Sequence, residues 1–226
     1  MVINEIFYSL QGEGFLTGVP SVFIRLSGCP LRCRWCDTKY AWHEDSGTEK
    51  TIDEILSEIE KWQCGYMVIT GGEPMLNPQL RELVQRLKIA GKHITIETSG
   101  IAYVSDLQCD LVSISPKLSN SIPDDEKLKA IHEDFRLDLA VLGELIDNYN
   151  YQLKFVVDDE SDIEEIEETL KHLSNVKPEK VMLMPQASTR NELLQKSQMV
   201  AELCKRTGHA FSQRLHVLLW NNQIGK

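Results

Sequence analysis

Positive charge is in short supply in this sequence. Its 226 residues carry 34 acidic against 24 basic side chains, a net charge of −10. Non-specific affinity for nucleic acid rests on Lys and Arg neutralising phosphates, so a general phosphate-backbone binder is excluded and no direct nucleic-acid partner is expected. Long apolar runs are missing too. None approaches the roughly 20 residues of a membrane-spanning helix, so no membrane partner is expected. At Met1-Val2-Ile3-Asn4-Glu5 no basic stretch leads into an apolar one, no secretory leader is visible, and the expected location is the cytoplasm. Internal repeats, low-complexity segments and a G-x-G-x-x-G loop after a strand are absent. What remains is an ordinary composition, 42% hydrophobic and 26% charged. The length suits one core rather than two, so a single domain over residues 1–226 is expected.

Cysteine is sparse and unevenly placed. Of six, Cys29, Cys33 and Cys36 sit together, while Cys64, Cys109 and Cys204 are scattered. In a chain read as cytosolic, clustered cysteines are metal ligands before they are disulfides. Cys204 falls on the apolar face of a predicted helix and reads as a small core residue. Cys64 and Cys109 precede predicted strands and receive no role. Arg25, Arg32, Arg34 and Lys39 crowd the cysteine segment, a local basic patch suited to a small anionic ligand.

Helices and strands alternate along the chain. Thr51 with Glu54 forms a capping-box pattern ahead of Ile52, Ile55, Leu56, Ile59 and Trp62 at helical spacing. Pro78 takes a first helical position before Leu80, Leu83, Val84 and Leu87, with Gly91 as the stop. Ser161 with Glu164 and Thr189 with Glu192 open two more helices, Gly208 ends the last, and a further helical stretch lies within 124–148. Between them, short β-branched runs read as buried parallel strands: 21–27, 66–70, 93–98, 111–115, 151–157 and 181–184, preceded by a strand at 2–8. Ser99 to Cys109 is short for a crossover helix and reads as irregular. Six units are too few for an eight-fold barrel of about 250 residues. The expected fold is therefore α/β, a partial six-unit parallel β/α barrel with an added N-terminal strand; a doubly wound open sheet is the alternative. The polar segments follow the strands, and in a parallel fold all C-terminal strand ends share one face. Gly28-Cys29, Gly71-Gly72-Glu73-Pro74, Glu97-Thr98-Ser99-Gly100, Ser115-Pro116-Lys117 and Pro185-Gln186 should thus converge on one pocket.

The spacing C-x3-C-x2-C puts three thiolates on one tight loop, enough for three irons of a cubane cluster, leaving the fourth iron open. Zinc competes, but a structural zinc site wants four ligands and only His43 is a nearby fourth candidate. An electron-carrying ferredoxin wants four cysteines per cluster. Glycines after a strand allow close approach of backbone to a ligand. Glu73 offers an acceptor for an ammonium group, and Lys117 and Ser115 offer partners for a carboxylate or ribose.

With its cysteine loop, Gly71-Gly72-Glu73-Pro74 and six-strand layout, the sequence resembles the radical S-adenosylmethionine (SAM) superfamily. That resemblance implies a 4Fe–4S cluster on Cys29, Cys33 and Cys36 whose open iron binds SAM and whose electron cleaves it to a carbon radical. Further segments are similar to one family within it, 7-carboxy-7-deazaguanine synthase. They are Leu10-Gln11-Gly12-Glu13-Gly14, Gly18-Val19-Pro20, Phe23-Ile24-Arg25-Leu26, Cys36-Asp37-Thr38, Glu97-Thr98-Ser99-Gly100, Ser115-Pro116-Lys117 and, near the C-terminus, Arg214-Leu215-His216. The resemblance implies a carbon–nitrogen lyase that converts 6-carboxy-5,6,7,8-tetrahydropterin to 7-carboxy-7-deazaguanine with loss of ammonia, in 7-deazapurine (queuosine) biosynthesis. Carried over by position, Leu10, Gln11, Gly12, Arg25 and Thr70 contact the pterin, with Glu13 and His216 as further contacts. Thr38 binds a magnesium ion. Trp35, Asp37, Gly71, Gly72, Glu73, Ser115, Lys117 and, by a looser match in Met184-Pro185-Gln186-Ala187, Gln186 serve SAM. No general acid or base is assigned. A flavodoxin or ferredoxin electron donor and a homodimer are expected from the same resemblance. A glycyl-radical-enzyme activase, or a non-catalytic zinc or iron–sulfur module, would share the cysteine motif without the set formed by Gln11, Glu13, Arg25 and Thr38.

Overall fold

The computed structural model describes residues 1–221 and 223–225. Strand β1 (Val2–Leu10) runs antiparallel to β2 (Pro20–Leu26) and, near its start, to the short β3 (Thr48–Glu49). From β2 onward every neighbour is parallel: β4 (Tyr66–Gly71), β5 (His93–Thr98), β6 (Leu111–Ile114), β7 (Tyr151–Val157), β8 (Val181–Pro185) and the two-residue β9 (Ala210–Phe211). The sheet order β3-β1-β2-β4-β5-β6-β7-β8-β9 has β3 and β9 as its edges, so the sheet is open rather than closed. The six expected parallel strands and the N-terminal strand are all present. The edge strands β3 and β9 are additions, each too short to leave a periodic signal.

Among the described residues six helices lie between strands, α1 (Ile52–Ile59), α2 (Leu80–Ile89), α3 (Glu126–Phe135), α4 (Leu139–Asn148), α5 (Asp162–Lys171) and α6 (Arg190–Thr207), and α7 (Leu215–Trp220) follows the last strand. The boxes at Thr51/Glu54 and Thr189/Glu192 form as expected, and α6 ends on Gly208 at φ 81°. Two expected starts differ. Leu80, not Pro78, begins α2, because Asn77 Oδ1 accepts the Gln79 N–H at 3.0 Å and makes a turn of residues 77–79. Ser161 is already helical in backbone and caps nothing; the Asp162 carboxylate instead accepts the N–H groups of Asp158 (2.7 Å) and Asp159 (3.0 Å). The helical stretch within 124–148 is two helices, because Asp125 and Asp138 each cap a separate N-terminus. Residues 99–109 contain neither helix nor strand, as expected. No helix among the described residues is long and apolar enough to cross a membrane.

Strand alternation sorts side chains between two environments. Ile24, Ile69, Ile96, Ile114, Phe155 and Leu183 are buried in the main core that the helices pack against. Each such side chain removed from water contributes about 1.5–3 kcal/mol. Their sequence neighbours Arg25, Thr70, Glu97, Ser113, Lys154 and Met184 face the opposite way and line a cavity. The fold therefore keeps one face of the sheet apolar and gives the other to chemistry.

Candidate active site

A cavity of about 250 Å³ lies over the C-terminal ends of the parallel strands. Cys29, Cys33 and Cys36 all line it, and all three are free thiols. Their loop leaves β2 at Gly28, whose φ of 95° turns the chain. Backbone bonds fix it: Gly28 N–H donates to Ala41 O (2.9 Å), Cys29 N–H to Trp42 O (3.0 Å) and Arg34 N–H to Ser121 O (2.9 Å). Burial, with Glu73 adding to it, pushes the Cys29 thiol up to about 12, and burial pushes Cys33 up to about 11. Without metal these thiols stay protonated, so loading a metal must release protons.

The glycines after β4 brace this loop. A Cβ on Gly72 would meet Gly28 O at 1.9 Å, and the N–H groups of Gly72 and Glu73 donate to Leu26 O and Gly28 O at 2.9 and 2.8 Å. Their small size serves the approach of two stretches of backbone, and both also line the cavity. Glu73 is not brought to the cavity. Its carboxylate is buried away from the cavity lining and accepts from Met75 N–H (3.1 Å), Thr98 Oγ1 (2.7 Å), Ser99 N–H (2.8 Å) and Ser99 Oγ. The three bonds from Thr98 and Ser99 tie the end of β4 to that of β5, and with the local Met75 bond they leave no lone pair aimed at an ammonium group.

Gln186 is the second site residue that the structure does not bring to the cavity. Its Oε1 accepts from Lys196 Nζ at 2.7 Å on α6, and Met184 lines the cavity at this strand end. The expected basic patch is also redistributed. Arg25 pairs with Glu5 at 2.7 Å, Arg34 with Asp158 at 2.7 Å, and Arg32 lies over the Trp42 ring at 5.1 Å. His43, the candidate fourth zinc ligand, is exposed and outside the cavity lining. Among the described residues, no three His, Cys, Asp or Glu side chains are arranged to hold a single metal ion.

The remaining expected residues come together. Leu10, Gln11, Gly12, Glu13, Arg25, Trp35, Asp37, Thr38, Thr70, Gly71, Gly72, Ser115, Lys117 and His216 all line the cavity with the cysteines. Thr38 Oγ1 lies 3.6 Å from Cys36 Sγ. Lys117 Nζ donates to Ser115 Oγ at 2.9 Å and sits 5.7 Å from the Trp35 ring centre. The loop between β1 and β2 packs on the start of α7: Leu215 N–H donates to Gly12 O at 2.8 Å, and a Cβ on Gly12 would strike the His216 ring.

Sequence reasoning gave no site role to three charged residues at the centre, Lys154, Glu97 and Arg214. Lys154 on β7 is 2% exposed; its Nζ lies 2.7 Å from Glu13 Oε2 and 3.6 Å from Glu97 Oε1. Gln11 Nε2 donates to Glu97 Oε1 at 3.0 Å. Arg214 joins Glu13 (3.1 Å) to Asp37 and donates to Ala187 O. The chain Asp37–Arg214–Glu13–Lys154–Glu97–Gln11 thus crosses the cavity with alternating charge. Burial alone would raise the Glu13 carboxyl, but Lys154 and Arg214 outweigh it and hold Glu13 well below the usual range. Asp37 is lowered in the same way, by Arg214 against burial. Burial holds His216 below the usual histidine range, against the pull of Glu13. Lys154 had a signal in its alternation: Gln152 and Lys154 are polar residues two apart within an apolar strand. The tail also returns, with residues 223–225 on the cavity rim and residues 222 and 226 outside the described set.

The donor set fits a cubane cluster with one iron left for another ligand: among the described residues, three cysteines line the cavity and no fourth does. An open parallel sheet with three cysteines on the loop after its first parallel strand defines a radical SAM enzyme, and the Radical SAM superfamily model matches residues 23–173. The 7-carboxy-7-deazaguanine synthase of Halobacterium salinarum is 42% identical over 97% of this chain and 90% of its own. That of Rhodopirellula baltica is 38% identical over 100% of this chain and 88% of its own. The crystal structure of QueE from Escherichia coli superposes with a TM-score of 0.72 at 29% identity, covering 95% of this chain and 94% of that one. The chain belongs to the 7-carboxy-7-deazaguanine synthase family of the radical SAM superfamily. A 4Fe–4S cluster, SAM and Mg²⁺ come with that membership.

Proposed function

We propose that this protein converts 6-carboxy-5,6,7,8-tetrahydropterin to 7-carboxy-7-deazaguanine with release of ammonia, acting as one unit over residues 1–226. The observation that carries the reading is the meeting of three free cysteines and the pterin-type set of Gln11, Glu13, Arg25, Thr70 and His216 in one cavity. When bound, the cluster and SAM supply the radical that removes a hydrogen from the substrate. Cys29, Cys33 and Cys36 would hold the cluster. Trp35, Asp37, Ser115 and Lys117 would face SAM, and the Thr38 hydroxyl would take magnesium, which keeps water or substrate oxygens on its other positions.

The chain's own residues bind and orient the pterin. Arg25 is presented by β2 and steadied from behind by Glu5, leaving a planar fork suited to a carboxylate. Glu13 and Glu97, which flank the Lys154 ammonium, offer acceptors for the N–H groups of an aminopyrimidine. Gln11 is set by two bonds, giving to Glu97 and accepting from Gly12 N–H at 2.8 Å, so its amide cannot flip freely. A reduced flavodoxin or ferredoxin is the proposed electron source, the cytoplasm the proposed location, and a homodimer the proposed assembly.

The test is product analysis. The protein is reconstituted without oxygen and given SAM, magnesium, a strong reductant and 6-carboxytetrahydropterin. Mass spectrometry should find 7-carboxy-7-deazaguanine, lost in Cys33→Ala. Formation of 5′-deoxyadenosine alone would keep the radical chemistry and remove the substrate. Neither product from a fully loaded protein would overturn the reading.

A further inference from the structure

The acidic segment from Ser119 to Arg136 carries no motif, yet it holds the middle of the cysteine loop. His132 on α3 is completely buried. Its Nδ1 accepts the backbone N–H of Arg32 at 3.1 Å, and its Nε2 lies 2.9 Å from Ser121 Oγ. The Ser121 hydroxyl gives its only hydrogen to Leu118 O at 2.6 Å, so toward His132 it must accept. The network therefore assigns the neutral Nε2–H tautomer, with Nδ1 as acceptor. On the other side of Cys33, the Arg34 N–H donates to Ser121 O at 2.9 Å. The amides of both neighbours of Cys33 are thus fixed by a single Ser121–His132 unit that comes from far along the chain.

We propose that His132 is a positioning residue for Cys33, setting where that thiolate meets the cluster and keeping the Arg32 amide turned away from it. The inference rests on the reading of Cys33 as a cluster ligand. Two further observations support it. Cys33 is the most buried of the three clustered cysteines, so its geometry depends on what packs around it. The Arg32 side chain secures only the other end of the loop, donating to Cys29 O and to Leu31 O (2.9 Å) while stacking on Trp42. Groups that orient a metal ligand govern metal retention, and amides that reach a cluster sulfur change its potential.

Three variants separate this role from simple packing. His132→Asn keeps an acceptor near the Nδ1 position. His132→Gln keeps a donor toward Ser121 but no acceptor for Arg32, and His132→Phe keeps neither. Each is reconstituted without oxygen, its iron counted, its iron release to a chelator timed, and the reduced cluster's paramagnetic resonance recorded with and without SAM. The Asn variant should release iron at the wild-type rate. The Gln and Phe variants should release it about tenfold faster, with an altered resonance on adding SAM. Equal rates for Asn and Gln, or a wild-type rate for Phe, would overturn the proposal. Should the Phe variant not fold, the Asn–Gln comparison decides alone. A wild-type protein that loads no iron would remove the cysteine reading, and this inference with it.

Discussion

Lys154 sits where an apolar strand would ordinarily present a Val or Ile to its neighbours, and it is nearly inaccessible to water. A buried ammonium is tolerated only when paired, and here Glu13 and Glu97 pair it. Lys154→Met keeps the stem and deletes the charge, leaving two carboxylates facing each other. Loss of one partner from a buried ion pair costs about 3–5 kcal/mol, so urea unfolding should show a loss of that order. The double variant with Glu13→Gln should recover part of it, since the coupling between the two positions disappears. His132 gives a pH signature. Burial, helped by Arg136 and Lys117, lowers it from 6.5 to about 4. On acidification the unfolded chain takes up this proton first, so the contribution is whole above 6.5 and is lost as pH falls toward about 4. Urea midpoints of the metal-free protein between pH 7.5 and 4.5 should fall accordingly, and less steeply in His132→Asn. Glu13 acts lower down: with its carboxyl held below the ordinary 4.5, its contribution is whole above that value and is lost as pH falls further.

At the scale of elements, two glycines make opposite predictions. Gly143 lies inside α4 with nothing within 4 Å of a built Cβ, so Gly143→Ala should stabilise by about 1 kcal/mol in urea unfolding. Gly72 faces backbone on the cysteine loop, and backbone cannot swing aside. Gly72→Ala should lower iron content after reconstitution, measured against the unchanged protein. The strands and the convergence of their C-terminal ends were legible because β-branched runs and the rule for parallel sheets both act locally. The division of 124–148 was legible in principle, since Asp138 before Leu139 is a helix-start pattern. What Glu73 and Gln186 do was not legible. A side chain's direction after a strand depends on which neighbour offers donors, and Thr98, Ser99 and Lys196 do so only once the sheet and α6 are assembled.

For the whole molecule, closure of the cavity falls to side chains, because the sheet itself stays open. Arg214 joins Glu13 from the N-terminal loop to Asp37 from the cysteine loop and to Ala187 O beyond β8. Sequence patterns could not show this, since each partner is polar and no period links them. Arg214→Met should therefore reduce both product formation and protease resistance of the α7 segment, read by turnover and by timed digestion. Removing an exposed charge such as Lys171 should change neither.

The cysteine loop is secured to Ala41, Trp42, Ser121 and His132 by bonds that involve no sulfur. The path of the loop is thus set by groups that hold no iron, and a change at any of these four positions can shift the sulfurs without touching one of them.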